Sequence, residues 1–277
     1  MKENIPLYNR DELSSKYPSQ EIGGKGYLEY LCEKKRPLAT KKNIKVHCSL
    51  CGSRHRSLFS DISNTELETL DLHKSCILYK KGQTLYYEGT RPMGLFCINS
   101  GKVKVYKITS DGKEQILNLA KAGDFIGYRA LISEEFYSAS ATVIEEGAIC
   151  YIPKADFLGI LNDNPRFFRR MMKKLSDDLG IMEQKLVTIA QKSVRERLAA
   201  TLLMLKESYG MEGEEDSTLI DIALSREDLA NIIGTATETV IRLLSEFKNQ
   251  ELISLQGKKI KVLDPKGLVK EADFYGL

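Results

Sequence analysis

The chain has 277 residues, 42% of them apolar and 29% charged, which suits two compact domains at roughly 150 residues each and excludes a largely disordered or fibrous protein. With 41 Lys+Arg against 38 Asp+Glu the formal charge is only +3, so attraction to a polyanion must come from local clustering. No run of about 18 uncharged apolar residues occurs, and residues 1–10 are too polar for a signal peptide, so the expectation is a cytoplasmic protein with no membrane partner.

Residues 1–46 are polar, with Gly23-Gly24-Lys25-Gly26 and basic residues at Lys34, Lys35, Arg36, Lys41, Lys42 and Lys45. The glycines lack the spacing and the Ser or Thr of a phosphate-binding loop, so this region reads as a flexible or loosely docked extension. Six cysteines follow no small secreted framework: Cys32, Cys48, Cys51, Cys76, Cys97 and Cys150 are core thiols or metal ligands. Cys48 and Cys51 form a Cys-x-x-Cys, the spacing that lets two thiolates from one turn meet one metal.

From about residue 76 to 151 short strand signals alternate with turn glycines at Gly82, Gly89, Gly94, Gly101, Gly112, Gly123 and Gly127. Lys102-Val103-Lys104-Val105 has period two, and Asp111-Gly112 is a hairpin dipeptide. Strands at this spacing predict an antiparallel roll, barrel or sandwich.

Helical signals begin after Pro153. Asn164-Pro165 marks a helix start, and Phe168, Met172, Leu175, Leu179, Met182, Leu186 and Ile189 then alternate steps of four and three. That heptad seam is flanked by charge, and its economical partner is its own copy in a homodimer, although a long helix packed on its own domain has the same pattern.

Ser225-Arg226-Glu227-Asp228 fits a capping box, Leu229, Ala230 and Ile233 give the helix an apolar face, and Gly234 suits its left-handed end. A second start at Thr235-Ala236-Thr237-Glu238 leads to Val240, Leu243, Leu244 and Phe247 at helical spacing, so the pair reads as helix-turn-helix. Glu238 and Arg242 share a face other than the Val240–Leu244 one. They are an ordinary i, i+4 ion pair or a base-reading edge, arginine bidentate to guanine and glutamate accepting from cytosine. Residues 252–262 then read as a hairpin wing, with Lys248, Lys258, Lys259, Lys261 and Lys266 around it, which favours duplex DNA.

The segments Lys81-Gly82-Gln83-Thr84-Leu85, Asn99-Ser100-Gly101-Lys102-Val103, Gly123-Asp124-Phe125-Ile126-Gly127, Val194-Arg195-Glu196-Arg197-Leu198-Ala199 and Thr237-Glu238-Thr239-Val240-Ile241-Arg242 carry a resemblance in order and spacing. From about His47 onward the chain resembles the Crp/Fnr family of bacterial transcription regulators. The resemblance implies an α+β fold: an antiparallel, jelly-roll-like β-roll of the cyclic-nucleotide-binding type at 47–160, a dimerisation helix at 161–192 and a winged helix-turn-helix at 193–277. It implies a sequence-specific DNA-binding homodimer on a palindromic promoter, RNA polymerase as protein partner, and no enzymatic activity. Only three histidines and no paired acid and base agree with the last point.

The family's Glu-Thr-x-x-Arg reading pattern lands on Glu238, Thr239 and Arg242, with Thr237 and Ile241 at neighbouring positions where well-known members carry other residues. Ser225, Arg226, Thr235, Lys258 and Lys259 complete the expected DNA contacts. Members that bind cyclic AMP carry Gly-Glu-Leu and Arg-Ser-Ala; here stand Gly123-Asp124-Phe125 and Tyr137-Ser138-Ala139, so the arginine matched to the cyclic phosphate is missing and cyclic AMP is not the expected effector. The oxygen-sensing branch holds an iron-sulfur cluster on a Cys-x-x-Cys, a third cysteine six residues on, and a fourth in Cys-x-Ile-Pro. Cys48, Cys51 and Cys150 match the first, second and fourth, whereas the third position is Ser57. The cofactor is thus left open between an iron-sulfur cluster, zinc and none, with Cys32, His47 or His55 as the missing ligand. The alternative function is a metal or redox sensor acting mainly through a protein partner.

Overall fold

In the computed structural model the described residues are 42–210 and 219–273. The expected extension therefore lies, up to residue 41 and including Cys32, outside them.

The first strand, β1 (Lys42–Asn43), already pairs with β2 (Ser75–Tyr79), so the sheet begins ahead of the boundary expected at residue 47. Between them run three short 3-10 turns (Cys48–Leu50, Arg54–Arg56, Leu58–Asp61) and helix α1 (Asn64–His73), which starts at a capping box of Ser63 and Glu66. Strands β3 (Thr84–Tyr86), β4 (Gly94–Ile98), β5 (Lys102–Ile108), β6 (Glu114–Ala120) and β7 (Phe125–Ile126) lead to helix α2 (Tyr128–Ile132), β8 (Ser140–Glu145) and β9 (Gly147–Pro153). All pairings are antiparallel, in two sheets ordered β1-β2-β9-β4-β7 and β3-β8-β5-β6.

Strand alternation divides the side chains between two cores. Phe96, Ile98, Ile126 and Ile149 point between the sheets, where they meet Val103, Ala120, Ala141 and Val143. Leu95 and Ile152, one residue out of phase, point to the outer face and meet Leu67, Leu70, Phe157, Phe167 and Met171. Those last residues come from α1, from α3 (Lys154–Asp163) and from the long helix α4 (Pro165–Gln191). Asn164 caps α4 by accepting from the amides of Arg166 and Phe167.

Helix α5 (Val194–Tyr209) opens the C-terminal part. It is followed by β10 (Leu219–Ile220), α6 (Arg226–Ile233), α7 (Thr237–Asn249), β11 (Ile253–Gln256), β12 (Lys259–Val262) and α8 (Pro265–Glu271). The wing is a three-stranded sheet ordered β10-β12-β11, one strand more than the expected hairpin. Leu202, Leu229, Ala230, Val240, Leu244, Phe247 and Val262 form its core, and Leu119 and Ile144 of the roll pack against that core from outside.

Two glycines test this packing in opposite directions. A Cβ on Gly147 would lie 2.0 Å from the Ser100 carbonyl oxygen, whereas one on Gly159, within α3, meets open space. Gly147→Ala is expected to lower the thermal midpoint and Gly159→Ala to raise stability by about 0.5–1 kcal/mol, as alanine does in a helix interior, both read by thermal unfolding.

Candidate functional site

Helix α6 begins as expected. The Ser225 hydroxyl accepts from the Asp228 amide at 2.9 Å and donates to the Asp228 carboxylate at 2.6 Å, and Gly234 ends the helix at φ 70°. Ser225 is therefore engaged as a cap. Arg226 is also partly spent: its Nη2 donates to the Gly257 carbonyl in the wing turn at 3.2 Å, tying the start of α6 to the wing. Its Nη1 is buried without a hydrogen-bond partner among the described residues, and burial pulls its pKa below the usual arginine value.

Helix α7 begins at Thr237 with Ala236 as its N-cap, a residue that offers no side-chain cap, so its first-turn amides are left for an outside acceptor. Val240, Leu243, Leu244 and Phe247 are buried and fix the rotation of the helix; Glu238, Ile241, Arg242 and Ser245 are exposed, while Thr237 and Thr239 are half-buried. The i, i+4 ion pair on this helix differs from the expected one. Arg242 pairs with Glu246 at 2.6 Å, not with Glu238. Glu246 also binds Arg195, at 2.7 Å, and Arg195 in turn holds Glu271 and Gln250 and lies over the Phe247 ring. Arg195 and Glu246 thus orient Arg242 from behind, a role that the i, i+4, i+8 spacing of Glu238, Arg242 and Glu246 allowed but did not select. Lys258 sits exposed in the two-residue turn between β11 and β12, and Lys259 reaches Asp221 at 3.4 Å. Thr235, ahead of α7, is half-buried with its amide on the Ala230 carbonyl.

The roll touches this module directly. Lys104 of β5 pairs with Glu114 of β6 and reaches Asp228 at 3.3 Å, and Gln115 donates to the Asn231 carbonyl at 2.7 Å. Lys102 donates to the Asp221 carbonyl and Lys121 to that of Ser208, each at 2.5 Å.

The long helix α4 presents two apolar faces. Phe167 and Met171 are buried in the roll, and Leu175 is half-buried beside them. Phe168, Met172, Leu179, Met182, Leu186 and Ile189 are exposed along the other face, with Leu186 at 70%.

The three cysteines expected as metal ligands are not gathered. The Cys48 thiol accepts from Lys74 Nζ at 2.8 Å in a network with Asp71, and burial pushes its pKa up. Cys51 accepts from Asn99 at 3.0 Å, and Cys150 lies opposite Cys76 on the neighbouring strand. Ser57, at the third position, is 4% exposed; its hydroxyl donates to the Arg54 carbonyl at 2.7 Å and accepts from the Phe59 amide. His47 lies 3.8 Å from Asp71, and the His55 ring accepts from Arg56. Among the described residues no three His, Cys, Asp or Glu side chains stand as a metal site. Among the described residues, therefore, no four-ligand set for an iron-sulfur cluster or a structural zinc ion stands assembled, and Cys32, one of the expected alternatives for the missing ligand, lies outside them. Tyr137, which replaces the phosphate-pairing arginine, is buried, stacks on Tyr86 at 3.9 Å and donates to the Gly94 carbonyl at 3.0 Å.

A cyclic nucleotide-binding domain model matches residues 76–164 and a Crp-like helix-turn-helix domain model matches 196–271. The fumarate and nitrate reduction regulatory protein of Vibrio cholerae serotype O1 is 29% identical over 230 residues, covering 82% of this chain and 90% of that protein. The transcriptional activator protein FnrA of Stutzerimonas stutzeri is 27% identical over 226 residues, covering 80% and 91%. Among solved structures, FixK2 from Bradyrhizobium japonicum superposes with a TM-score of 0.65 at 21% identity, over 71% of this chain and 96% of that one. A CooA mutant from Carboxydothermus hydrogenoformans does so with 0.64 at 23%, over 84% and 98%. The roll, the helix-turn-helix and these matches define a DNA-binding regulator of transcription. The chain belongs to the Crp/Fnr family, whose members are not enzymes. No helix among the described residues is long and apolar enough to cross a membrane.

The capping box gives a pH test. Ser225 and Lys104 hold the Asp228 carboxyl below its ordinary value against the opposing effect of burial. A carboxylate with a depressed folded pKa adds stability above its unfolded pKa, near 4, and loses it as pH falls through the folded value. Asp228→Asn is therefore expected to be less stable than the parent at pH 7, with the difference shrinking as pH falls below about 4, measured by denaturant unfolding across that range.

Proposed function

We propose that the protein is a homodimeric, sequence-specific regulator that binds a palindromic promoter site and acts with RNA polymerase. The observation that carries the reading is the rotation of α7: its apolar face is committed to the core, so Glu238 and Arg242 face outward with Thr239 at the edge of the same surface. A helix presented this way enters a major groove, where Arg242 reads guanine and Glu238 reads cytosine. Thr235, Thr237, Lys258 and Lys259 would meet the phosphates that flank that groove, while Arg226 contributes by holding the wing turn. Ser225 contributes by starting α6 rather than by a contact of its own.

The second support is the exposed stripe from Phe168 to Ile189, which a second copy of α4 would cover. Two such copies place two reading helices on half-sites about one turn of DNA apart. A stacked, hydrogen-bonded tyrosine at 137 favours an effector other than cyclic AMP.

Arg242→Ala is expected to weaken specific binding by about 1–3 kcal/mol and to bring operator and scrambled duplexes closer in affinity, measured by anisotropy titration at fixed salt. Equal discrimination in parent and variant would rule Arg242 out as a base reader. Leu179→Glu together with Leu186→Glu is expected to turn the dimer into a folded monomer in sedimentation, with unchanged circular dichroism and lost binding to a two-half-site duplex.

A further inference from the structure

Cys76, Cys150 and Cys97 lie opposite one another on the adjacent strands β2, β9 and β4: Cys76 is in register with Cys150, and Cys150 with Cys97. Residues directly opposite in an antiparallel pair share a face. Here it is the outer face of the sheet, where Cys76 and Cys150 are buried with Ala148 under Ile44 and Val46. The two side chains pack together in that cluster.

We propose that Cys76 and Cys150 are a redox couple that closes to a disulfide when a hydroperoxide reaches Cys76. Opposite residues in an antiparallel pair have Cα atoms about 4.5–5.5 Å apart, inside the roughly 4.4–6.8 Å span of disulfides, so the bond forms without moving a strand. A cleft of about 380 Å³ leads to one member of the pair only. Ile44, Val46, Asp71, Lys74 and Cys76 are among its lining residues, and neither Cys150 nor Cys97 is. Lys74 lines the same cleft, so a cationic side chain stands on the wall that holds Cys76.

The step balances as two thiols and one hydroperoxide. The Cys76 thiolate attacks the peroxide oxygen, the O–O bond breaks, and an alkoxide or hydroxide leaves and takes up a proton. The Cys150 sulfur then attacks the Cys76 sulfenic acid, the S–O bond breaks, and water leaves with the Cys150 proton. Two electrons pass from the sulfurs to the peroxide. The product staples β2 to β9, the strand that runs through α3 into the α4 seam.

The proposal is independent of the DNA-binding reading and is tested without DNA. The full-length, reduced protein is exposed to hydrogen peroxide, alkylated and mapped by mass spectrometry of unreduced peptides. The expected result is a crosslink between the Cys76 and Cys150 peptides, two hydrogens lighter than the pair. With Cys150→Ala the Cys76 sulfenic acid is expected to persist and be captured by dimedone, and with Cys76→Ala the crosslink is lost. Alkylatable Cys76 and Cys150 after exposure that oxidises Cys48 and Cys51, or a Cys97–Cys150 crosslink in the unaltered chain, would overturn it. The map of the unaltered chain decides the matter even if a variant fails to fold.

Discussion

One helix must bury two apolar faces that point in different directions, and the rest of the molecule is arranged around that constraint. Phe167 and Met171 of α4 fill the core beneath the roll beside Phe59 and Phe157. The Phe168–Ile189 face then has no cover among the described residues, and a row of large apolar side chains at heptad spacing is satisfied most economically by its copy. Lys185, on a third side, donates to the Leu117 carbonyl of β6, and burial there holds its pKa below the usual lysine range. The helix is thus fixed to the roll at two points along its length. A change in the roll that alters either point alters the seam.

The roll also holds the DNA-binding module without passing through α4. Lys104 bridges the β5–β6 hairpin to Asp228, and Asp228 is the residue that completes the cap of α6. Gln115 binds the last turn of the same helix. The roll and the helix-turn-helix therefore share hydrogen bonds as well as a covalent connection. The thiol row lies on the opposite sheet, in β2, β9 and β4, and meets this system through β9, α3 and α4.

Local chemistry was legible in the residues: the Ser225 box, the left-handed Gly234, the Asp111-Gly112 turn and the Asn164 cap each depend on neighbours within four positions. The winged helix was legible because Val240, Leu243, Leu244 and Phe247 mark one face whatever packs on it. What was hidden is set by distant partners. β10 is two residues long and is a strand only because it pairs with β12. Arg242 has carboxylates at both i−4 and i+4, and the choice of Glu246 is made by Arg195. Ser57 stands where a cysteine was sought, and only its burial as a cap shows that it serves another purpose. Cys76 and Cys97 read singly as small core residues, since strand register, not spacing, sets them beside Cys150.

The central claim is that two copies joined along α4 present two α7 faces to one duplex. Its most direct test is selection of bound duplexes from a random pool, followed by sequencing of those retained. The account predicts an enriched inverted repeat whose half-sites lie about one helical turn, 10–10.5 base pairs, centre to centre. Enrichment of a single unrepeated site, or of no site at all, would contradict it.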